Sequence, residues 1–263
     1  MYPKSASLAI VVMAALTNFH YHGPSRVLAW EGVDTHFGSM SNEADTTTEE
    51  LDAIESIQGL ASVSPARVIV FPEAVVPDWN YATDAFWSRS LERLSINGKT
   101  IIVGSKITAP AGASRFSAAE FAATIAILNG TSGSFPRAIV AHRDATIGFR
   151  NVLIVRGAHT GIFEQRVPVP IGMWKPLSTG GAPLRLNGTG VFPVAGERAA
   201  ILICYEQLLT WPILTSMVDH PTVIVAVAND VWAAGTTIPA AQLTAVRGWA
   251  RLISIPYVSA TNY

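Results

Sequence analysis

The stretch AAILICYEQ, residues 199–207, sets an unbroken apolar run directly against a cysteine and, two residues on, a glutamate. An apolar run without alternation reads as a strand buried on both faces, as sheets covered by helices require. The pattern recurs twice. ARVIVFPE, residues 66–73, runs into Pro72 and Glu73, and TVIVAVAND, residues 222–230, runs into Asn229 and Asp230. Polar residues thus stand where three core strands end, a place where α/β folds commonly build sites.

Working outward, Arg26–Val33 (RVLAWEGV) reads as a first core strand. Thr46 and Thr47 precede Glu49 and Glu50 with capping-box spacing, and Leu51, Ile54 and Ile57 follow on one helical face. A second helix is expected over Asp84–Ile96, capped by Gly98, then a strand at Thr100–Gly104. Phe121–Leu128, Ala138–Ala141 and Val152–Val155 are strand candidates between Gly-, Ser- and Asn-rich turns. Ala199–Cys204 and Thr222–Ala228 read as strands, Trp211–Val218 and Pro239–Leu252 as helices, and Ile255–Ala260 as a last strand. Helices between apolar strands point to one α/β domain over residues 26–263 rather than a repeat array.

The composition agrees. Only 14% of the 263 residues are charged and 49% are hydrophobic, against about 25% charged in an average chain. A net charge of -1 without a long basic run gives no nucleic-acid footprint. A single cysteine excludes intramolecular disulfides and cysteine-cluster metal sites. The six histidines lack HExxH-like spacing, so no metal is expected. Gly98-Lys99-Thr100 lacks the earlier glycine of a phosphate loop, Gly180-Gly181 reads as a loop, and Asn129 and Asn187 read as turns. No cofactor is expected. No Gly-x-Ser-x-Gly elbow is present either.

Residues 1–25 stand apart. No formal charge lies between Lys4 and Arg26, and Leu8–Leu16 is continuously apolar. The run is short for a span of about 20 residues. It reads either as a buried helix or strand or as a membrane or signal-like segment.

A thiol becomes a useful nucleophile as a thiolate, or when a neighbouring base takes its proton. A carboxylate in apolar surroundings has a raised pKa and can be that base near neutral pH. Each residue type has a plainer role too: a cysteine on an apolar strand is usually a small hydrophobe, and a glutamate after a strand is often a solvated loop residue.

The words around them resemble a known family. FPEAVVP at 71–77 and LICYEQ at 202–207 are similar to the glutamate and cysteine motifs of the nitrilase superfamily, in particular its apolipoprotein N-acyltransferase-like branch. NDVW at 229–232, Pro239, Arg247 and ATN at 260–262 resemble that branch's later motifs at compatible spacing. The signature is most similar to that of the nitrilase-like TraB proteins of plasmid conjugal transfer. The resemblance implies a four-layer α-β-β-α sandwich with a Glu-Lys-Cys triad. It makes Glu73 the general base and Cys204 the nucleophile of a thioester-forming amide hydrolysis or acyl transfer. Glu206 matches the acidic residue that follows the cysteine in this branch, and Asn229 and Trp232 belong to the supporting set.

Two departures stand out. The segment GIFEQRVPVPIGMWKP, residues 161–176, aligns without gaps to the branch's lysine segment, with Arg166, Val169, Pro170, Gly172 and Pro176 in agreement. It places Gln165 where the lysine belongs and Met173 at the second glutamate. Losing one oxyanion donor typically costs about 2.7–4 kcal/mol of barrier; Arg166 and Lys175 are the candidate replacements. Family members also continue beyond the position matching ATNY, so the sandwich is expected to lack its C-terminal strands or to need a partner.

Two functions follow as expectations: an active amidase or acyltransferase acting through Cys204, and a catalytically degenerate domain with an assembly role in plasmid conjugation. An unrelated α/β small-molecule binder is a more distant third. The expected partners are an acyl or amide substrate and conjugation or envelope proteins, with a homo-oligomer left open. By resemblance the chain belongs to a bacterial inner membrane, its domain facing the periplasm.

Overall fold

Val68–Val70 (β2) is buried at every position, and so is Val223–Ala228 in the strand Val223–Asn229 (β8). Strands of this kind need cover on both faces, and the arrangement of the other elements supplies it. The computed structural model describes residues 29–38, 46–108, 148–175 and 181–263, with positions 8 and 12. The strands expected at 121–128 and 138–141, Asn129, and nearly all of the N-terminal apolar run lie outside the described residues. Among those described, no helix is long and apolar enough to cross a membrane.

One sheet has the order β1-β2-β3-β4-β5, where β1 is Trp30–Gly32, β3 Thr100–Thr108, β4 Phe149–Gly157 and β5 Gly161–Glu164. The other has the order β6-β7-β8-β9, where β6 is Val191–Val194, β7 Glu197–Ile203 and β9 Tyr257–Asn262. Strands β1 to β3 are parallel, as are β7 to β9. Helices α1 (Thr46–Val63) and α2 (Tyr81–Ile96) join the first three strands; α3 (Thr210–Met217) and α4 (Ile238–Ile253) join the last three.

Three apolar seams define four layers. Ile57 and Ala61 of α1 and Trp87 and Leu91 of α2 pack on Ile69, Ile101 and Ile154 of the first sheet. Val68, Val70, Ile102 and Leu153 meet Ile201, Ile203, Val225 and Val227 between the sheets. Leu202, Ile224 and Ala226 meet Ile213 of α3 and Val246 and Ala250 of α4. Alternate residues of one strand serve two seams, as a period of two dictates. The α-β-β-α sandwich is the expected one.

Most boundaries fall close to their expected places, with physical reasons for the shifts. Helix α2 starts at Tyr81 because Asn80 caps it, its side chain accepting from the Thr83 backbone nitrogen at 3.1 Å. Gly98, at φ +64, ends the same helix. Strand β3 runs on to Thr108 because it pairs with β4 over nine positions. Leu51, expected on the buried face of α1, is 41% exposed, whereas Ile54 and Ile57 are buried. Asn187 lies in a turn.

Candidate thiol site

Both arms of the site are sharp turns at the ends of parallel strands. After β2 the chain passes through Phe71 and Pro72 to Glu73, followed by Ala74 at φ 50. This turn lies on β3: the Gly104 nitrogen donates to the Pro72 carbonyl at 3.0 Å, and the Val76 nitrogen to the Gly104 carbonyl at 3.1 Å. A Cβ at Gly104 would stand 2.3 Å from the Pro72 oxygen and 2.4 Å from the Glu73 Cα, so only glycine admits the approach. After β7 the chain turns at Cys204, at φ 51, into a single 3-10 turn, Cys204–Leu208.

Glu73 and Cys204 converge. The thiol and the carboxylate are hydrogen-bonded, and both residues are buried. Glu73 Oε1 also accepts from Asn151 Nδ2 at 2.6 Å, and Oε2 from the Asn229 backbone nitrogen at 3.1 Å. Burial raises the Glu73 carboxyl to about 7, against the lowering effect of its bonds from Asn151, Cys204 and Asn229; the charge of Asp230 raises it further. Burial likewise raises the Cys204 thiol far above its ordinary value, helped by the charge and hydrogen bond of Glu73 and by Asp230; the Tyr205 backbone works the other way. Burial alone raises Asp230 to about 6.

Gln165 follows β5 and is buried. Its Nε2 donates to the Ile203 carbonyl at 3.0 Å, and its Oε1 accepts from Asn151 Nδ2 at 2.9 Å. Arg166 turns away from the thiol. Its guanidinium donates to the Pro212 carbonyl at 2.9 Å and the Ser216 hydroxyl at 3.2 Å on α3, and to the Ile201 carbonyl at 3.1 Å. Burial lowers its pKa, while Glu206 acts in the opposite direction. The Glu206 carboxylate accepts from the backbone nitrogens of Ile203 at 3.0 Å, Arg166 at 2.8 Å and Val167 at 2.9 Å. It clamps the thiol turn to the Gln165 segment, and burial raises its pKa. Lys175 is exposed, and Trp232 is 65% exposed. Among the described residues, no lysine or arginine contributes to the shifts of Glu73 or Cys204.

The strand-end reading picks out Glu73, Cys204 and Asn229, and misses Asn151. The available signal was an amide at the head of the apolar run NVLIV, residues 151–155. Gln242 was missed as well. It is buried on α4, and with its amide nitrogen turned to Asp230 it donates at 2.8 and 3.1 Å. Asn262, from the ATN motif, accepts from Thr35 Oγ1 at 2.8 Å and donates to Asn229 Oδ1 at 3.3 Å, tying the third strand end to the first sheet. No group of three His, Cys, Asp or Glu side chains among the described residues could hold a metal ion.

No known family model matches the chain. It is 29% identical over 240 residues to the conjugal transfer protein TraB of Agrobacterium fabrum, covering 89% of this chain and 48% of that protein. It is 30% identical over 241 residues to the probable conjugal transfer protein TraB of Sinorhizobium fredii, covering 89% and 52%. The chain therefore spans about half the length of the curated relatives it matches. Among solved structures it superposes on the carbon-nitrogen hydrolase of Helicobacter pylori with a TM-score of 0.51 at 11% identity, covering 88% of this chain and 72% of that one. The fold is nitrilase-like, shared with that carbon-nitrogen hydrolase, and the sequence is similar to two TraB conjugal transfer proteins over about half of their length.

Proposed function

We propose that this chain is the nitrilase-fold part of a bacterial conjugal transfer protein in which the thiol site has lost turnover and serves binding or assembly. The observation that carries this reading is the state of Gln165. Both ends of its amide are engaged, on the Ile203 carbonyl and on Asn151, and it brings no positive charge to Cys204. Energetics point the same way. With the carboxyl at about 7 and a thiol at its ordinary value of 9.0, moving the proton from Cys204 to Glu73 is uphill by about 3 kcal/mol. Burial of the thiol makes the step steeper. An acyl-transfer transition state also needs donors aimed at its developing oxyanion, and a desolvated acidic pair works against that charge.

The test is plasmid transfer by a strain carrying Cys204→Ala. Transfer at the wild-type frequency is expected. A collapse of transfer with normal protein levels would overturn the reading.

A second reading, amide hydrolysis or acyl transfer through a thioester, is favoured by Glu73 alone. A carboxyl held near 7 and bonded to a thiol is suited to general-base work. A covalent acyl adduct on Cys204, seen by mass spectrometry after incubation with short-chain amides, would favour it. Attachment to the inner membrane, contact with other conjugation or envelope proteins, and self-association belong to the proposal as the setting in which such a domain works.

A further inference from the structure

Asn151 lies on β4 two residues before Leu153, which lines the space between the sheets, and it is 1% exposed. Its Nδ2 carries two hydrogens, and both are used: one to Glu73 Oε1 at 2.6 Å, the other to Gln165 Oε1 at 2.9 Å. The direction of each bond is forced. An ionised Glu73 only accepts. Gln165 must present its oxygen, because its nitrogen donates to the Ile203 carbonyl at 3.0 Å. Turning the Asn151 amide over would set its oxygen against two acceptors. The amide keeps its orientation although this leaves Asn151 Oδ1 buried with no hydrogen-bond partner. A buried unpartnered oxygen is unfavourable, so the double donation outweighs that loss.

We propose that Asn151 is the positioning residue of the thiol site, holding Glu73 against Cys204 and, through Gln165, against the carbonyl that precedes the thiol. This rests on the thiol-site reading above. It concerns which residue governs the pair, not what the chain does in transfer. A hydrogen bond donated to a carboxylate favours its charged form, and only the charged form can take the thiol proton. Asn151 therefore lowers the pH at which Glu73 can take the thiol proton.

The experiment is the pH profile of Cys204 alkylation by iodoacetamide, followed by mass spectrometry on the full chain. In that reaction the Sγ–C bond forms, iodide leaves, and the thiol proton passes to Glu73. Near pH 7 about half of Glu73 is ionised. A rise of one unit in Asn151→Leu leaves about a tenth ionised at that pH, so the rate falls about fivefold, while the rates converge at high pH. Asn151→Asp, which removes the donor and adds a charge, moves the profile in the same direction. Asn151→Gln restores part of it, and Gln165→Leu, which leaves Asn151 donating to Glu73, shifts it less. If Asn151→Leu fails to fold, the profiles of Asn151→Asp and Gln165→Leu decide. A folded Asn151→Leu with an unmoved profile, or one slowed by the same factor at every pH, overturns the proposal. Transfer by Cys204→Ala is a separate readout, so either idea can fail alone.

Discussion

Glu206 Oε1 lies 2.8 Å from the Arg166 backbone nitrogen and 3.7 Å from the Nε of the same residue, so one arginine meets one carboxylate twice. Both side chains are almost wholly buried. Charges in such a place are held by several partners each: Glu206 accepts from three backbone N–H groups, and Arg166 donates from its terminal nitrogens to α3 and β7, while its Nε is buried with no hydrogen-bond partner.

Removing either partner leaves an uncompensated buried charge, which costs about 3–5 kcal/mol. Arg166→Met and Glu206→Gln are each expected to lower stability by about 3 kcal/mol in urea unfolding. The double variant should lose clearly less than the sum of the two, since the second change removes the orphan left by the first. Additive losses would mean that the two residues act independently.

A cation at position 165 should make the thiol more reactive. A positive charge within about 4–6 Å of an acid favours its charged form by about 1–3 pKa units. Gln165→Lys is therefore expected to speed iodoacetamide labelling of Cys204 at pH 7 by about tenfold or more. Gln165→Met serves as the uncharged control. Equal rates for the two variants would show that charge at position 165 is not what limits the thiol.

Glu73 should make the fold less stable as pH rises. Its carboxyl stands at about 7 in the fold against 4.5 as a free group. Below about pH 4.5 it is neutral in both states. Between there and 7 the unfolded chain ionises while the fold keeps its proton, so stability falls by about 3 kcal/mol and then levels off. Glu73→Gln keeps an acceptor and removes the titration. Its Tm is expected to match that of the wild type near pH 4 and to exceed it at pH 8. A constant gap across that range would contradict the assignment.

Gly104→Ala tests the seating of Glu73. The new methyl meets main-chain atoms, including the Pro72 oxygen at 2.3 Å and the Glu73 Cα at 2.4 Å, which cannot swing aside. Overpacking of this kind costs about 1–3 kcal/mol. Lower stability is expected, together with a loss of the pH dependence that Glu73 confers on Cys204 labelling. A variant with wild-type Tm would show that the turn has room to move.

The strands legible in the sequence were those whose burial is continuous. Val68–Val70 and Val223–Asn229 announce themselves because both faces are covered. Strands β5 and β6 did not, being four residues each and partly exposed; β6 also carries Pro193, which fits only an edge strand. Glu73 and Cys204 were legible for a related reason: a polar residue after an apolar run marks a strand end. Asn151 could not be found that way, because its meeting with Gln165 depends on the register that sets Val152 opposite Glu164. The direction of Arg166 was equally hidden. It is decided by carbonyl and hydroxyl acceptors on Ile201, Pro212 and Ser216, which are far away in sequence.

Ala74 and Cys204 both hold left-handed backbone, at φ 50 and 51. For a residue with a side chain that conformation costs about 1–2 kcal/mol, and glycine would relieve it. The meeting of carboxyl and thiol is thus stored in the main chain, at two bends at the strand ends. Chemistry and architecture are separable here. Exchanging the side chains at 73 and 204 is therefore expected to leave the two bends in place, because the strands on either side fix them.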